Sequence, residues 1–384
     1  MASNNNSVNS TASKHSHNNF RSSTATQVIF KKEIAVIGAG QAGLSSAYYL
    51  KKYGLRPERD FVILDKPSEP GGAWQDRWSS LTLNTVNGVH DLPGMAFSEA
   101  VDTDDREAQA NIAVPKYFKA YEEKFNLQVY RPLKVKVVCE REERFHVETT
   151  KPRFSVRGII NATGTWESPY IPYYPDIDQF GGQQLHTKDY KTADEFEGKH
   201  VVIVGGGISA IQLLDEISKV TNTTWVTRRP PNFHKGSFTK EDGRAAVAMV
   251  EERVRNGLPP ESVVSVTGLP VTDRIEAMRE RGVLKRNPMF SKITKTGVKW
   301  EDGTTLSADT IIWCTGFRNS LDHLAPLMLR NEDGGITMSG RLATQVKKEP
   351  RIHLPGYGPS ASTIGANRAG QAVARELMET LELR

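Results

Sequence analysis

Hydrophobic and polar positions alternate along this chain between short unbroken apolar runs and helical spacing, and the rhythm twice predicts a strand–turn–helix–strand unit. Ile34-Ala35-Val36-Ile37 is a continuous apolar run, the mark of a strand buried on both faces. The spacing around it predicts strand 33–37, helix 42–53 and strand 61–65. The pattern returns as strand 200–204, helix 208–219 and strand 223–227. Between the two units, residues 127–160 alternate in period two through Val135, Val137, Cys139, Phe145, Val147, Phe154 and Val156. That reads as an antiparallel meander feeding a strand at 158–162. Helical spacing reappears at 243–255, 271–281 and near 364–381. Residues 232–300, broken by Pro259-Pro260 and Pro270, are less readable and are expected to cover the cleft between domains.

Each unit turns on glycines. Gly38-Ala39-Gly40-Gln41-Ala42-Gly43 follows the first strand, and Gly205-Gly206-Gly207-Ile208-Ser209-Ala210 follows its counterpart. Gly38 and Gly205 allow the tight turn, and Gly40 and Gly207 let backbone approach a pyrophosphate. Gly43 and Ala210 let helix and strand pack closely, with the diphosphate at the helix N-terminus. One such fingerprint is weak evidence; two in strand context predict a protein that holds two dinucleotides.

The ends of the second strands separate the two nucleotides. Asp65 closes the first unit, where a carboxylate accepts from a ribose 2′-hydroxyl; in a flavoprotein with two nucleotides this points to the adenosine ribose of FAD. The other unit ends in Thr227-Arg228-Arg229, whose guanidiniums suit a 2′-phosphate, so NADPH is favoured over NADH. The plainer alternative is a pair of solvated arginines before Pro230-Pro231. Gly71-Gly72-Ala73-Trp74 is a loop that could run beneath a flavin with Trp74 covering it, or a surface turn with a core tryptophan. Two buried strands leave through Thr-Gly turns, at Thr163-Gly164 and Thr315-Gly316, which predicts that the chain departs one domain near Thr163 and returns near Thr315. The expected fold is α/β with two Rossmann-like domains, one inserted in the other. The boundaries are a disordered tail at 1–29, a FAD domain at 30–164 and 305–384, and an NADPH domain at 165–304.

Composition narrows the class. The 384 residues carry a formal charge of +5, without basic stripes interleaved with aromatics, so nucleic acid is a poor partner. The two cysteines, Cys139 and Cys314, are far apart; no CxxC pair or thiolate zinc site exists, and a reducing, cytoplasmic location fits. The tail, rich in Asn, Ser, Thr and His, resembles neither a signal nor a transit peptide, and no apolar run reaches membrane-spanning length.

Between the fingerprints, Phe180 to Lys191 fits FxGxxxHxxxYK at Phe180, Gly182, His186, Tyr190 and Lys191. With GAGQAG, Asp65, GGAW, ATG and GGGISA in the same order, the chain resembles the class B flavin-dependent monooxygenases, specifically the flavin-containing monooxygenases in a compact soluble form. Baeyer–Villiger relatives usually carry Trp followed by Pro or Asp where Tyr190-Lys191 stand. The resemblance implies FAD and NADPH as cofactors, dioxygen and a small molecule as substrates, and the possibility of a homodimer. It implies hydride transfer to FAD, capture of dioxygen as a C4a-hydroperoxide, and oxygen transfer to a soft sulfur or nitrogen. It also implies that Asn84, in Leu83-Asn84-Thr85, faces the flavin, where an amide has donors and an acceptor but no titratable proton; a turn-capping Asn is the alternative. His186 is expected to hydrogen-bond across the domain interface, or to be a satisfied structural histidine. Ser362 or Thr363 is expected to cap the last helix beside the flavin or its pyrophosphate.

Candidate FAD residues are therefore Gly38, Gly40, Gln41, Gly43, Asp65, Lys66, Gly72, Trp74, Val135, Thr163, Gly164, Gly316, Gly358 and Ser362. Candidate NADPH residues are Gly205, Gly207, Ile208, Ser209, Thr227, Arg228, Arg229 and His186, with Asn84 the candidate catalytic residue and no metal site. The alternatives are Baeyer–Villiger oxygenation of a ketone, an NADPH oxidase, or a nucleotide-binding protein without productive chemistry. A disulfide reductase lacks its cysteine pair here. Substrate identity is not legible.

Overall fold

The computed structural model describes residues 28–86, 88–234, 240–261 and 268–383. The expected tail, except Val28 and Ile29, lies outside them, as does part of 232–300.

Ile34–Ile37 is an inner strand of a seven-stranded sheet, paired in parallel with Phe61–Leu64 on one side and Gly158–Asn161 on the other. Its unbroken apolar run is explained by burial on both faces. Ile34 and Val36 pack under the helices Gln41–Lys52 and Thr363–Thr380, while Ala35 and Ile37 meet Phe145, Val147, Phe154 and Val156 of the meander. The meander is antiparallel as the alternation predicts: Arg144–Thr149 pairs with Val135–Arg141 on one side and with Arg153–Val156 on the other. Ile29–Lys31 joins its edge in parallel.

The second sheet has the order Arg286–Pro288, Asn222–Thr227, His200–Val204, Thr310–Trp313, Gln183–His186, all parallel. One expectation changes here. Thr310–Trp313 pairs with Val201–Val204, so residues 310–313 belong with the second unit and the return to the first comes after them, at the Thr315-Gly316 turn, not at 305. Gln183–His186, inside the signature and within the 165–304 boundaries, is an edge strand of this sheet. The reason is local: a buried run such as Thr310–Trp313 needs neighbours on both edges, and each strand meets an exposed ladder there.

The two passages between units run side by side. Tyr170 N donates to Gly316 O (3.0 Å), Arg318 N to Ser168 O (2.8 Å) and Ser320 N to Gly164 O (3.0 Å). From the poorly readable stretch, helix Lys240–Arg255 reaches back onto the first unit, where Val254 is buried with Leu329, Met338 and Tyr357.

Candidate active site

A cavity of about 670 Å³ opens at the C-terminal ends of the first sheet. Gly38 makes its floor possible. Its φ is +96°, and a Cβ there would stand 2.5 Å from Ala162 O. Only glycine lets this turn pass the end of Gly158–Asn161. Gly40, with open space on its Cβ side, caps the helix Gln41–Lys52, whose first residues line the cavity. Unpaired amides and the positive end of a helix therefore face the space, which suits a diphosphate.

Asp65 stands at the end of the second strand, buried, with Oδ1 accepting from Ala39 N (3.1 Å) and Oδ2 from Arg131 Nε (2.9 Å). Arg131 also grips Glu122 through both amino groups, at 2.6 and 2.8 Å. Burial pushes the Glu122 carboxyl up, and the Arg131 bonds pull it back. The carboxylate is thus fixed in place, and a carboxylate has lone pairs left for a ribose hydroxyl. Arg131 was not found from sequence; its only signal is the position after Val129–Tyr130, the strand beside Phe61–Leu64.

Among the FAD candidates, Gly38, Gly40, Gln41, Asp65, Lys66, Gly72, Trp74, Val135, Thr163, Gly164 and Ser362 line this one cavity. Ser362 caps the last helix, its Oγ accepting from Gly365 N at 3.0 Å, so that helix also starts at the cavity. Gly43 lies behind the turn, where a Cβ would strike Gly38 O. Gly316 and Gly358 are not among the lining residues, though Phe317 and Ser360 are. Gly358 packs against Val254 instead. Sequence reading missed Lys134, Lys136, Arg77, Trp166 and His323, which also line the space. His323 Nε2–H donates to Asn161 Oδ1 (2.7 Å), and burial pulls the ring down to about 4, so it is neutral. These fit a flavin dinucleotide: a cradle open only to glycine, two helix starts, and a fixed carboxylate.

Asn84 is elsewhere. It is exposed, its Nδ2 donates to Glu107 Oε1 (3.3 Å), and it does not line the cavity. Its loop touches the second unit, since Gln212 Nε2 donates to Thr85 O (3.1 Å).

The second turn repeats the first. Gly205 has φ +141°, and a Cβ would lie 2.3 Å from Cys314 O. Gly207 caps helix Ile208–Ile217, with Ser209 in its first turn. At the end of Asn222–Thr227, Thr227 is buried, its Oγ1 donating to Arg229 O (2.9 Å), and Arg228 and Arg229 are exposed. Arg286, from the adjacent strand, donates to Thr227 O and Oγ1 (3.2 Å each). His186 is 2% exposed. Its Nδ1 accepts from Lys188 N (3.1 Å), so the proton sits on Nε2 and is donated to Gly316 O (2.9 Å). Both ring nitrogens are thus taken by backbone, one of them across the passage between units. Burial lowers its pKa.

The profile of the pyridine nucleotide-disulphide oxidoreductase family matches residues 35–346. A flavin-containing monooxygenase from Stenotrophomonas maltophilia has the same fold with a TM-score of 0.77 and 33% identity, over 92% of this chain and 99% of that one. The chain belongs to this family. Its type is the flavin-containing monooxygenase. An uncharacterized oxidoreductase CzcO of Bacillus subtilis is 28% identical over 84% of this chain and 88% of its own length. The dimethylaniline monooxygenase 2 of Mus musculus is 23% identical over 80% of this chain and 65% of its own. This flavin-containing monooxygenase homologue is an oxidoreductase with FAD and NADPH as cofactors and a small molecule as substrate. Its two cysteines are free, one in the meander and one behind Thr310–Trp313, so it has the family's two-nucleotide fold without a dithiol pair. Burial pushes the Cys314 thiol up to about 12, away from a thiolate. Among the described residues no helix is long and apolar enough to cross a membrane, and no group of metal-ligating side chains exists.

Proposed function

We propose that the protein is an NADPH- and O2-dependent monooxygenase that transfers one oxygen atom to a soft sulfur or nitrogen of a small molecule. The observation that supports this is the single cavity joining the first glycine turn, Asp65 and the start of the last helix, in a chain 33% identical to a bacterial flavin-containing monooxygenase. FAD, when bound, supplies the redox chemistry; the protein's task is position and shielding. The Gly38–Gly43 turn and the helix start at Gln41 hold the diphosphate, Asp65 the ribose, and the loop Gly72–Trp74 with Ser362 the flavin end. Gly205, Gly207, Ile208 and Ser209 hold NADPH, with Thr227, Arg228 and Arg229 at its 2′-phosphate. His186 acts indirectly, tying the second sheet to the passage at Gly316. Two unpaired cysteines support a cytoplasmic setting.

Purified protein is expected to be yellow and to oxidise NADPH, giving sulfoxide in step with NADPH consumed when a sulfide is present. Peroxide alone would make it an oxidase, a ketone-derived ester a Baeyer–Villiger enzyme, and a colourless protein that takes up no FAD would end the reading. Asn84 is kept as a coupling residue on the loop tied to Gln212. Asn84→Ala is expected to reduce its flavin normally while yielding less product per NADPH; unchanged coupling removes the assignment.

A further inference from the structure

Where the two passages meet, the cavity wall holds two hydrogen-bond donors that the protein leaves without acceptors. Arg77 follows the Gly72–Trp74 loop, and its guanidinium lies over the Trp166 ring, 4.3 Å from the centroid. Among the described residues it has no ion pair and no side-chain hydrogen bond. Trp166 follows the Thr163-Gly164 turn and is 6% exposed, yet its Nε1–H finds no acceptor. Both residues line the cavity.

The molecule treats its other enclosed charges differently. Arg131 is shared by Asp65 and Glu122, and Asp215 gathers Lys219, Arg274 and Arg281. At Arg77 only the charge of Asp76 offsets burial, which pulls the guanidinium down to about 10. The main chain of Arg77 and the ring of Trp166 are nonetheless both held. Asn111 Nδ2 donates to Arg77 O (3.2 Å), and Phe317 stacks on Trp166 at 5.1 Å. A half-buried guanidinium laid on an indole ring, with no carboxylate paired to it, is a fork that can take an anion from outside the protein.

The same cavity offers the helix start at Gln41, which carries roughly half a positive charge, against the two negative charges of a diphosphate. We infer that Arg77, laid on Trp166 and joined by the indole N–H, binds phosphate oxygens of a dinucleotide diphosphate in addition to the glycine turn. The inference rests on the proposed reading that the cavity takes a dinucleotide. The wall is built from both passages between units, so the diphosphate can belong to FAD or to NADPH.

The test uses purified holoenzymes of the wild type, Arg77→Gln, Arg77→Lys and Trp166→Phe. FAD release on dilution is followed by flavin fluorescence, and NADP+ binding to the holoenzyme by calorimetry, with 2′-phospho-AMP as a ligand lacking the diphosphate. Arg77→Gln is expected to weaken one dinucleotide about tenfold or more, Arg77→Lys to restore part of it, and Trp166→Phe to lose about threefold. A loss confined to FAD, with the unfolding temperature of the stripped protein unchanged, assigns the FAD diphosphate. A loss confined to NADP+, with 2′-phospho-AMP binding unchanged, assigns that of NADPH. Unchanged affinity for both dinucleotides, or an equal loss for 2′-phospho-AMP, overturns the inference. If Arg77→Gln does not fold, the other two variants decide by the same criteria. A wild type that binds neither dinucleotide overturns the function first and the inference with it.

Discussion

The two nucleotide units start from the same strand, turn and helix, yet they present their ligands with different surroundings. The first turn lies in a cavity that also takes in Asp65, the meander at Val135 and the last helix at Ser362. The second turn, Gly205 to Ser209, contributes nothing to that cavity, and its strand ends in exposed Arg228 and Arg229. At the first strand end the charges are locked, Asp65 to Arg131 to Glu122; at the second only Thr227 is buried. A cofactor wrapped by distant chain segments is retained, whereas one laid on an open strand end by surface guanidiniums exchanges. On the proposed reading, the same motif serves a resident group in one unit and a visiting one in the other.

The comparison is broken most directly at the turns. Gly38→Val forces a Cβ into Ala162 O at a positive φ and is expected to give protein without FAD, read by absorbance and by a lowered Tm. Gly205→Val, which meets Cys314 O, is expected to stay yellow but to lose flavin reduction by NADPH, read by stopped-flow absorbance. If both variants lose FAD alike, the distinction between resident and visiting cofactor is wrong. Next in size is Arg131→Leu, which leaves Asp65 and Glu122 buried without their cation; a loss of roughly 3–5 kcal/mol is expected in denaturant unfolding. Replacing both Arg228 and Arg229 with Ala is expected to raise KM for NADPH about tenfold or more and to change that for NADH little. An equal change for both nucleotides would remove the 2′-phosphate assignment.

A separate prediction concerns acid. His353 sits in the first sheet, fully buried, with no hydrogen-bond partner for either ring nitrogen among the described residues, and burial pulls it down to about 3. Its folded pKa is depressed, so its contribution is present above about 6.5 and is lost as pH falls toward about 3, when the unfolded chain takes the proton. The slope approaches ~1.4 kcal/mol per pH unit. His353→Leu is expected to flatten the acid limb of stability by that amount; an unchanged limb would show that the histidine is not what fails.

Legibility followed range in sequence. Gly38, Gly40, Asp65 and Gly205 were readable because a turn and its strand form a contiguous motif with a steric reason for each residue. Thr310–Trp313 was recognised as a buried strand, but its placement in the second sheet required knowing its neighbours, Val201–Val204 and Gln183–His186. Arg131, Arg77 and Trp166 carry no periodic signal, because what matters about them is the side chain that faces them or fails to. Asn84 shows the opposite limit. Its motif is intact, but its amide is turned to Glu107 and solvent.

The amino-acid pattern alone determined that two dinucleotide turns exist, which residue types close each strand, and that the chain passes twice between units, since short-range sterics and hydrophobic period dictate these. Which strands share a sheet, which turn becomes enclosed, and where a half-buried cation is left without an anion were decided only when distant segments packed together. Burial and charge pairing are properties of that packing, and no local stretch of sequence contains them.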